Sequence, residues 1–145
     1  MFKSILAAFD GSEGSKAATR KAAELAKLCG AELTVLTLYR HHSVLEGSMY
    51  VTNAEKPDDI DKIMLDRAKE IAEAGASIAR EVGPEKIRAF VKGGPVSRTI
   101  VSFSQEHEND LIVIGSRGLG SLEGVLLGSV SHKVTSLATV PVLVV

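Results

Sequence analysis

Tryptophan is absent from this chain of 145 residues, cysteine occurs once, and aromatic residues make up only 4%. The lone thiol, Cys29, has no intramolecular disulfide partner, which excludes a disulfide scaffold and fits a reducing compartment. Excess charge of either sign is also lacking. Seventeen Lys and Arg stand against 18 Asp and Glu, a formal net charge of −1. Without a basic stripe or a set of aromatic faces, nothing suits a nucleic acid. No apolar window approaches a membrane-spanning length. The opening Met1-Phe2-Lys3-Ser4-Ile5-Leu6 runs directly into Asp10, too short an apolar stretch for a signal peptide. Apolar content of 45% and charged content of 24% are ordinary for a globular protein. The expectation is one cytoplasmic domain over residues 1–145, with a core that needs neither metal nor disulfide, no nucleic-acid partner and no membrane insertion.

Apolar runs alternate with helical patterns along the chain. Lys3 to Phe9, Glu32 to Leu38, Lys86 to Val91, Asp110 to Ile114 and Val140 to Val145 read as strands. Between them, helices are expected from about Ser15 to Gly30, from near Asp58 to Gly83, over Val96 to Phe103, and from about Ser129. The second is expected to bury Ile60, Ile63, Met64, Ile71 and Ile78, and the last Val130, Val134 and Leu137. This order implies an α/β fold: an open, doubly wound, Rossmann-like parallel sheet of five strands. Ligands of such sheets bind beyond the carboxyl ends of the strands, where strand order reverses. Residues 39–57 hold no period and are long for a connection, as a lid or an interaction loop would be.

Glycine is the one excess. Five of the 13 glycines fall between Gly115 and Gly128, after the fourth strand. The segment Gly115-Ser116-Arg117-Gly118-Leu119-Gly120-Ser121 is not a P-loop, because Ser121 stands where lysine is needed, and it lacks the third glycine of the Rossmann fingerprint. Two readings remain open. The glycines allow close approach of backbone to a sugar or phosphate, with Arg117 supplying charge and Ser129 and Ser131 hydroxyl donors at a helix start. Alternatively, this is a plain glycine-rich loop with Ser129 as an N-cap.

The spacing Gly115-x-x-Gly118, nine residues, then Gly128-Ser129 resembles the nucleotide signature of the universal stress protein family. Ile112 to Gly118, Leu126 to Ser131, Pro141 to Val145 and the opening Ile5 to Ser12 resemble the family too, so the likeness spans the chain. The resemblance implies an adenine nucleotide α hydrolase-like fold, a homodimer formed partly by the last strand, and ATP binding. Carried over, Asp10 and Leu38 would meet the adenine, Gly115 and Gly118 the ribose and inner phosphates, and Gly128, Ser129, Val130 (through its backbone) and Ser131 the outer phosphates. Ser116 and Arg117 lie within this segment. Mg²⁺ would ride on the phosphates. Ala8-Phe9 departs from the family pattern, and Phe9 is expected to narrow the pocket.

Other candidates have plainer accounts. Asp10 fits a turn and cap as well as a base contact. His41 and His42 sit in a loop without zinc spacing, Ser104 to Glu108 reads as a solvated face ending at His107, and His132 is expected to face away from the phosphates. Val125-Leu126-Leu127 is apolar enough to cover phosphates or meet a partner. The resulting expectation is an ATP-binding regulatory module, a sensor or adaptor for an unidentified protein partner, dimeric through Val140–Val145 or assembled further. A slow ATPase or autophosphorylating phosphotransferase ranks second, because no carboxylate base is evident in the segment. A nucleotide-independent dimeric scaffold is the third reading.

Overall fold

The computed structural model describes residues 1–40, 57–117 and 127–145. The irregular stretch 41–56 (with His41 and His42), Gly118 and the apolar pair Val125-Leu126 lie outside the described residues. The elements run β1 (Ser4–Ala8), α1 (Glu13–Cys29), β2 (Glu32–Tyr39), α2 (Pro57–Val82), β3 (Ile87–Gly93), α3 (Val96–Glu106), β4 (Leu111–Ile114), α4 (Ser129–Leu137) and β5 (Val142–Val144). Among the described residues, no helix is long and apolar enough to cross a membrane.

The five strands form one parallel sheet in the order β3-β2-β1-β4-β5. Side chains alternate across it, because successive strand residues point to opposite faces. Ile5, Ala7, Leu33, Leu111 and Val113 meet Ala18, Ala22, Ala23 and Ala26 of α1 and Ala79 of α2 on one face. Leu6, Ala8, Leu36, Ile112 and Ile114 meet Ile100, Val101 and Phe103 of α3 and Val134 of α4 on the other.

Several sequence expectations need correction. Helix α1 begins at Glu13 rather than about Ser15, because Ser12 is extended and its side chain accepts from the Ser15 N–H at 3.2 Å. Helix α2 turns Ala68, Ala72, Ala76 and Ala79 inward, while Ile63 is 59% exposed. Small residues let α2 lie close to α1 and the sheet, so the bulky isoleucines are left at its margins. In α4, Val134 is buried but Leu137 is 48% exposed. The last strand is Val142–Val144, three residues rather than six. Ser104 is buried rather than solvated, and the exposed His107 ring stacks on Phe103 with centroids 3.8 Å apart.

Phe9 shares the face of Ile5 and Ala7, is 3% exposed, and its ring lies against Gly75 of α2. A Cβ on Gly75 would come within 2.8 Å of that ring and of Val35. The Phe9 ring is thus packed under α2, although Phe9 remains part of the pocket wall.

Candidate functional site

Strand order reverses between the central strand β1 and its neighbour β4, so their carboxyl ends at Asp10 and Gly115 open a crevice. On the β1 side, Gly11 takes φ +86°, a left-handed conformation that glycine adopts without strain. Asp10 Oδ1 accepts from the Ser12 N–H at 2.9 Å, and Ser15 Oγ donates to the Ser12 carbonyl at 2.9 Å. Asp10 therefore shapes the turn that launches α1, and it also faces the crevice.

On the β4 side, Gly115 packs on the first turn of α1. A Cβ on Gly115 would stand 2.8 Å from the Gly14 carbonyl carbon, and one on Gly14 would stand 2.5 Å from the Arg117 oxygen. The missing Cβ of Gly115 is thus accounted for by α1, not by ligand approach alone. Ser116 then fixes the loop through its backbone. Its N–H donates to the Val145 carbonyl at 2.8 Å, and its own carbonyl accepts from the Gly128 N–H at 2.6 Å and from Ser131 Oγ at 3.0 Å.

Helix α4 follows with Gly128, not Ser129, as its N-cap, a residue that has no side chain to make a cap bond. The His132 N–H bonds the Gly128 carbonyl at 3.0 Å. The N–H groups of Ser129, Val130 and Ser131 precede the first bond of the helical ladder and carry the positive end of its dipole. Ser131 is 2% exposed, and its hydroxyl, with one proton to give, lies 3.0 Å from two main-chain carbonyls, those of Ser116 and Gly128. Its proton is engaged in the fold, a refinement of its expected role as a free donor.

These elements enclose a cleft of about 430 Å³, within the roughly 300–1,000 Å³ usual for small-molecule sites. Ala8, Leu38, Val96, Ile100, Ile114 and Val130 supply apolar lining. Ser12, Ser129, Arg40 and Arg117 supply polar and cationic groups, and Asp10 is the single carboxylate among the described lining residues. Two guanidiniums, one carboxylate and an uncapped helix start make this surface receptive to an anion. Such a site suits a ligand with one apolar, planar end and one anionic end.

The fold thus brings Ala8, Phe9, Asp10, Leu38, Gly115, Arg117, Gly128, Ser129, Val130 and Ser131 to one cleft. Ser116 does not line it but holds its rim from beneath. Ser12 and Arg40 also line the cleft, in the stretches just after strands where the ligands of such sheets are expected, whereas sequence reasoning missed Ser15, Val96, Ile100 and Ile114. Val96 and Ile100 had no signal beyond an amphipathic period that equally describes core.

The model of the universal stress protein family matches residues 1–145. Universal stress protein YxiE of Bacillus subtilis is 38% identical over 148 aligned positions, covering 100% of this chain and 99% of its own. Among solved structures, universal stress protein UspA from Lactobacillus plantarum superimposes with a TM-score of 0.83 at 23% identity, covering 99% of this chain and 97% of that one. The universal stress protein from Archaeoglobus fulgidus in complex with dAMP gives a TM-score of 0.67 at 27% identity, covering 99% and 97%.

Proposed function

The chain belongs to the universal stress protein family, and from that premise we propose that its switch-point cleft binds an adenine nucleotide, ATP foremost, in the service of regulation. The observation that carries this reading is the start of α4, where a glycine N-cap leaves three successive N–H groups without a cap from its own side chain, in a cleft that Arg117 also lines. The Archaeoglobus fulgidus relative with dAMP supports an adenine-bearing ligand. The donors provided, two guanidiniums and a helix start, favour a triphosphate over a monophosphate. Leu38, Val96, Ile100 and Ile114 would take the base, and Ser129 and Val130 would hold phosphate oxygens through their N–H groups. Mg²⁺ would neutralise charge on the phosphates. Asp10, already accepting from Ser12, offers it no dedicated cage. Nucleotide occupancy would select one arrangement of the cleft rim by differential affinity and so change the surface offered to a protein partner.

Calorimetry on nucleotide-stripped protein tests the reading, with micromolar or tighter binding expected, about −8 kcal/mol. No heat with ATP would sink it. Substitution at Ser129 separates its two donors. Ser129→Ala removes the hydroxyl only, whereas Ser129→Pro also removes the N–H at a helical position that accepts proline. Gly128, with φ −69° and ψ 165°, already has the backbone that precedes proline. Ser129→Pro is expected to weaken ATP about tenfold beyond Ser129→Ala, and equal affinities would remove the backbone contact.

We further propose a homodimer through the last strand. Strand β5 is a sheet edge. The Pro141 carbonyl and the Val145 N–H bond β4, so alternation turns the N–H groups of Val142 and Val144 away from it. Val144→Pro removes one outward donor and leaves the β4 ladder intact. Light scattering should then report a monomer, and an unchanged dimer mass would place the interface elsewhere.

A further inference from the structure

A second hollow lies beside the cleft. Helices α3 and α4 pack against each other, and a groove of about 1050 Å³ opens at their starts. It is continuous with the cleft, since Arg40, Val96, Ser129 and Val130 line both. Beyond these, it has its own cations, Arg98 and Lys133, with His132 alongside and no carboxylate among its described lining residues. This concentration of positive charge stands on a chain whose formal net charge is −1. The N-caps of both helices, Pro95 and Gly128, make no side-chain cap bond, so two dipole starts add to the same field. The groove is not uniformly polar. Pro95, Val96 and the half-exposed Leu137 give it an apolar part.

We propose that this groove is a second subsite, and that cleft and groove together take a dinucleoside polyphosphate. The first nucleoside occupies the cleft, the phosphate chain crosses the start of α4, and the second nucleoside lies on the apolar part beside Arg98 and Lys133. The proposal rests on the nucleotide reading above. Three features select this occupant. The groove begins where the outer phosphates of a cleft-bound nucleotide would end, the charge of its described lining is of one sign, and it has apolar surface that a bare phosphate chain would leave in water. An acidic peptide would match the charge, but it does not explain the continuity with a nucleoside-sized cleft.

Calorimetry of the stripped protein with ATP, adenosine tetraphosphate and diadenosine tetraphosphate distinguishes the possibilities. Diadenosine tetraphosphate is expected to bind once per chain and about tenfold tighter than ATP. The Arg98→Ala, Lys133→Ala double variant should lose that excess and keep wild-type ATP affinity, because neither side chain lines the cleft. Leu137→Ser should weaken the dinucleotide alone. Equal affinity for diadenosine tetraphosphate and ATP overturns the subsite, as does an excess that survives the double variant. Adenosine tetraphosphate binding as tightly as the dinucleotide overturns the second-nucleoside assignment. Failure of ATP itself to bind overturns the nucleotide reading, whereas ATP binding without the excess overturns only this proposal.

Discussion

Gly14→Ala is expected to destabilise the protein by about 1–3 kcal/mol, although alanine in place of glycine inside a helix ordinarily gains about 1 kcal/mol. The sign reverses because the added Cβ has nowhere to go. It would stand 2.5 Å from the Arg117 carbonyl oxygen, a backbone atom that cannot swing aside as the end of a flexible side chain would. Gly115→Ala meets the same seam from the other side, at 2.8 Å from the Gly14 carbonyl carbon and 3.0 Å from its oxygen. For a chain of this size each kcal/mol moves the midpoint by about 3–4 °C, so both variants should melt several degrees early. The two losses should not add, because once one Cβ has parted α1 from the loop the other finds room. Nucleotide affinity should fall as well, since Ser116, next to Gly115, carries the carbonyl that holds Gly128 and Ser131. Urea denaturation of the two single variants and the double variant checks this. A Gly14→Ala protein more stable than wild type would mean that the seam has slack.

This seam also shows where sequence reasoning stops. The β/α alternation is legible because runs such as Leu6 to Ala8 and Leu111 to Ile114 are apolar throughout, while α1 and α3 carry a helical period. The order β3-β2-β1-β4-β5 is not legible, since parallel strands buried on both faces carry no mark of their neighbours. The spacing from Gly115 to Ser129 marks the site, yet it does not say what each glycine does. Gly115 answers to Gly14, about a hundred residues earlier, and only the folded chain brings them together. The direction of Phe9 was in principle readable, because its parity with Ile5 and Ala7 places it on the α1 and α2 face. The role of Ser116 was not, because it acts through backbone atoms, which every residue carries.

Gly128 is the opposite case, and its substitution should separate stability from binding. Its backbone, φ −69° and ψ 165°, is open to any residue, and an added Cβ would meet its nearest neighbours only at 3.4 Å, 3.5 Å and 3.7 Å. The fold therefore does not require glycine here. Extended backbone at an N-cap is the setting in which aspartate accepts from the N–H groups two and three positions on. Gly128→Asp would let a carboxylate take up the Val130 or Ser131 N–H and place a negative charge on the positive end of α4. A cap with a favourable dipole contributes about 0.5–1 kcal/mol, so the variant is expected to unfold at a slightly higher urea concentration than wild type. The same carboxylate would occupy the donors proposed for the phosphates and repel them, so ATP affinity should fall by about a hundredfold or more. Gly128→Asn provides the matched control, because it caps without the charge, and it should show an intermediate loss of affinity. Opposite signs for stability and affinity are the signature of a helix start kept uncapped for a ligand. If Gly128→Asp leaves ATP binding intact, the phosphates do not sit on α4. If it lowers stability instead, the N–H groups of α4 are already satisfied within the fold.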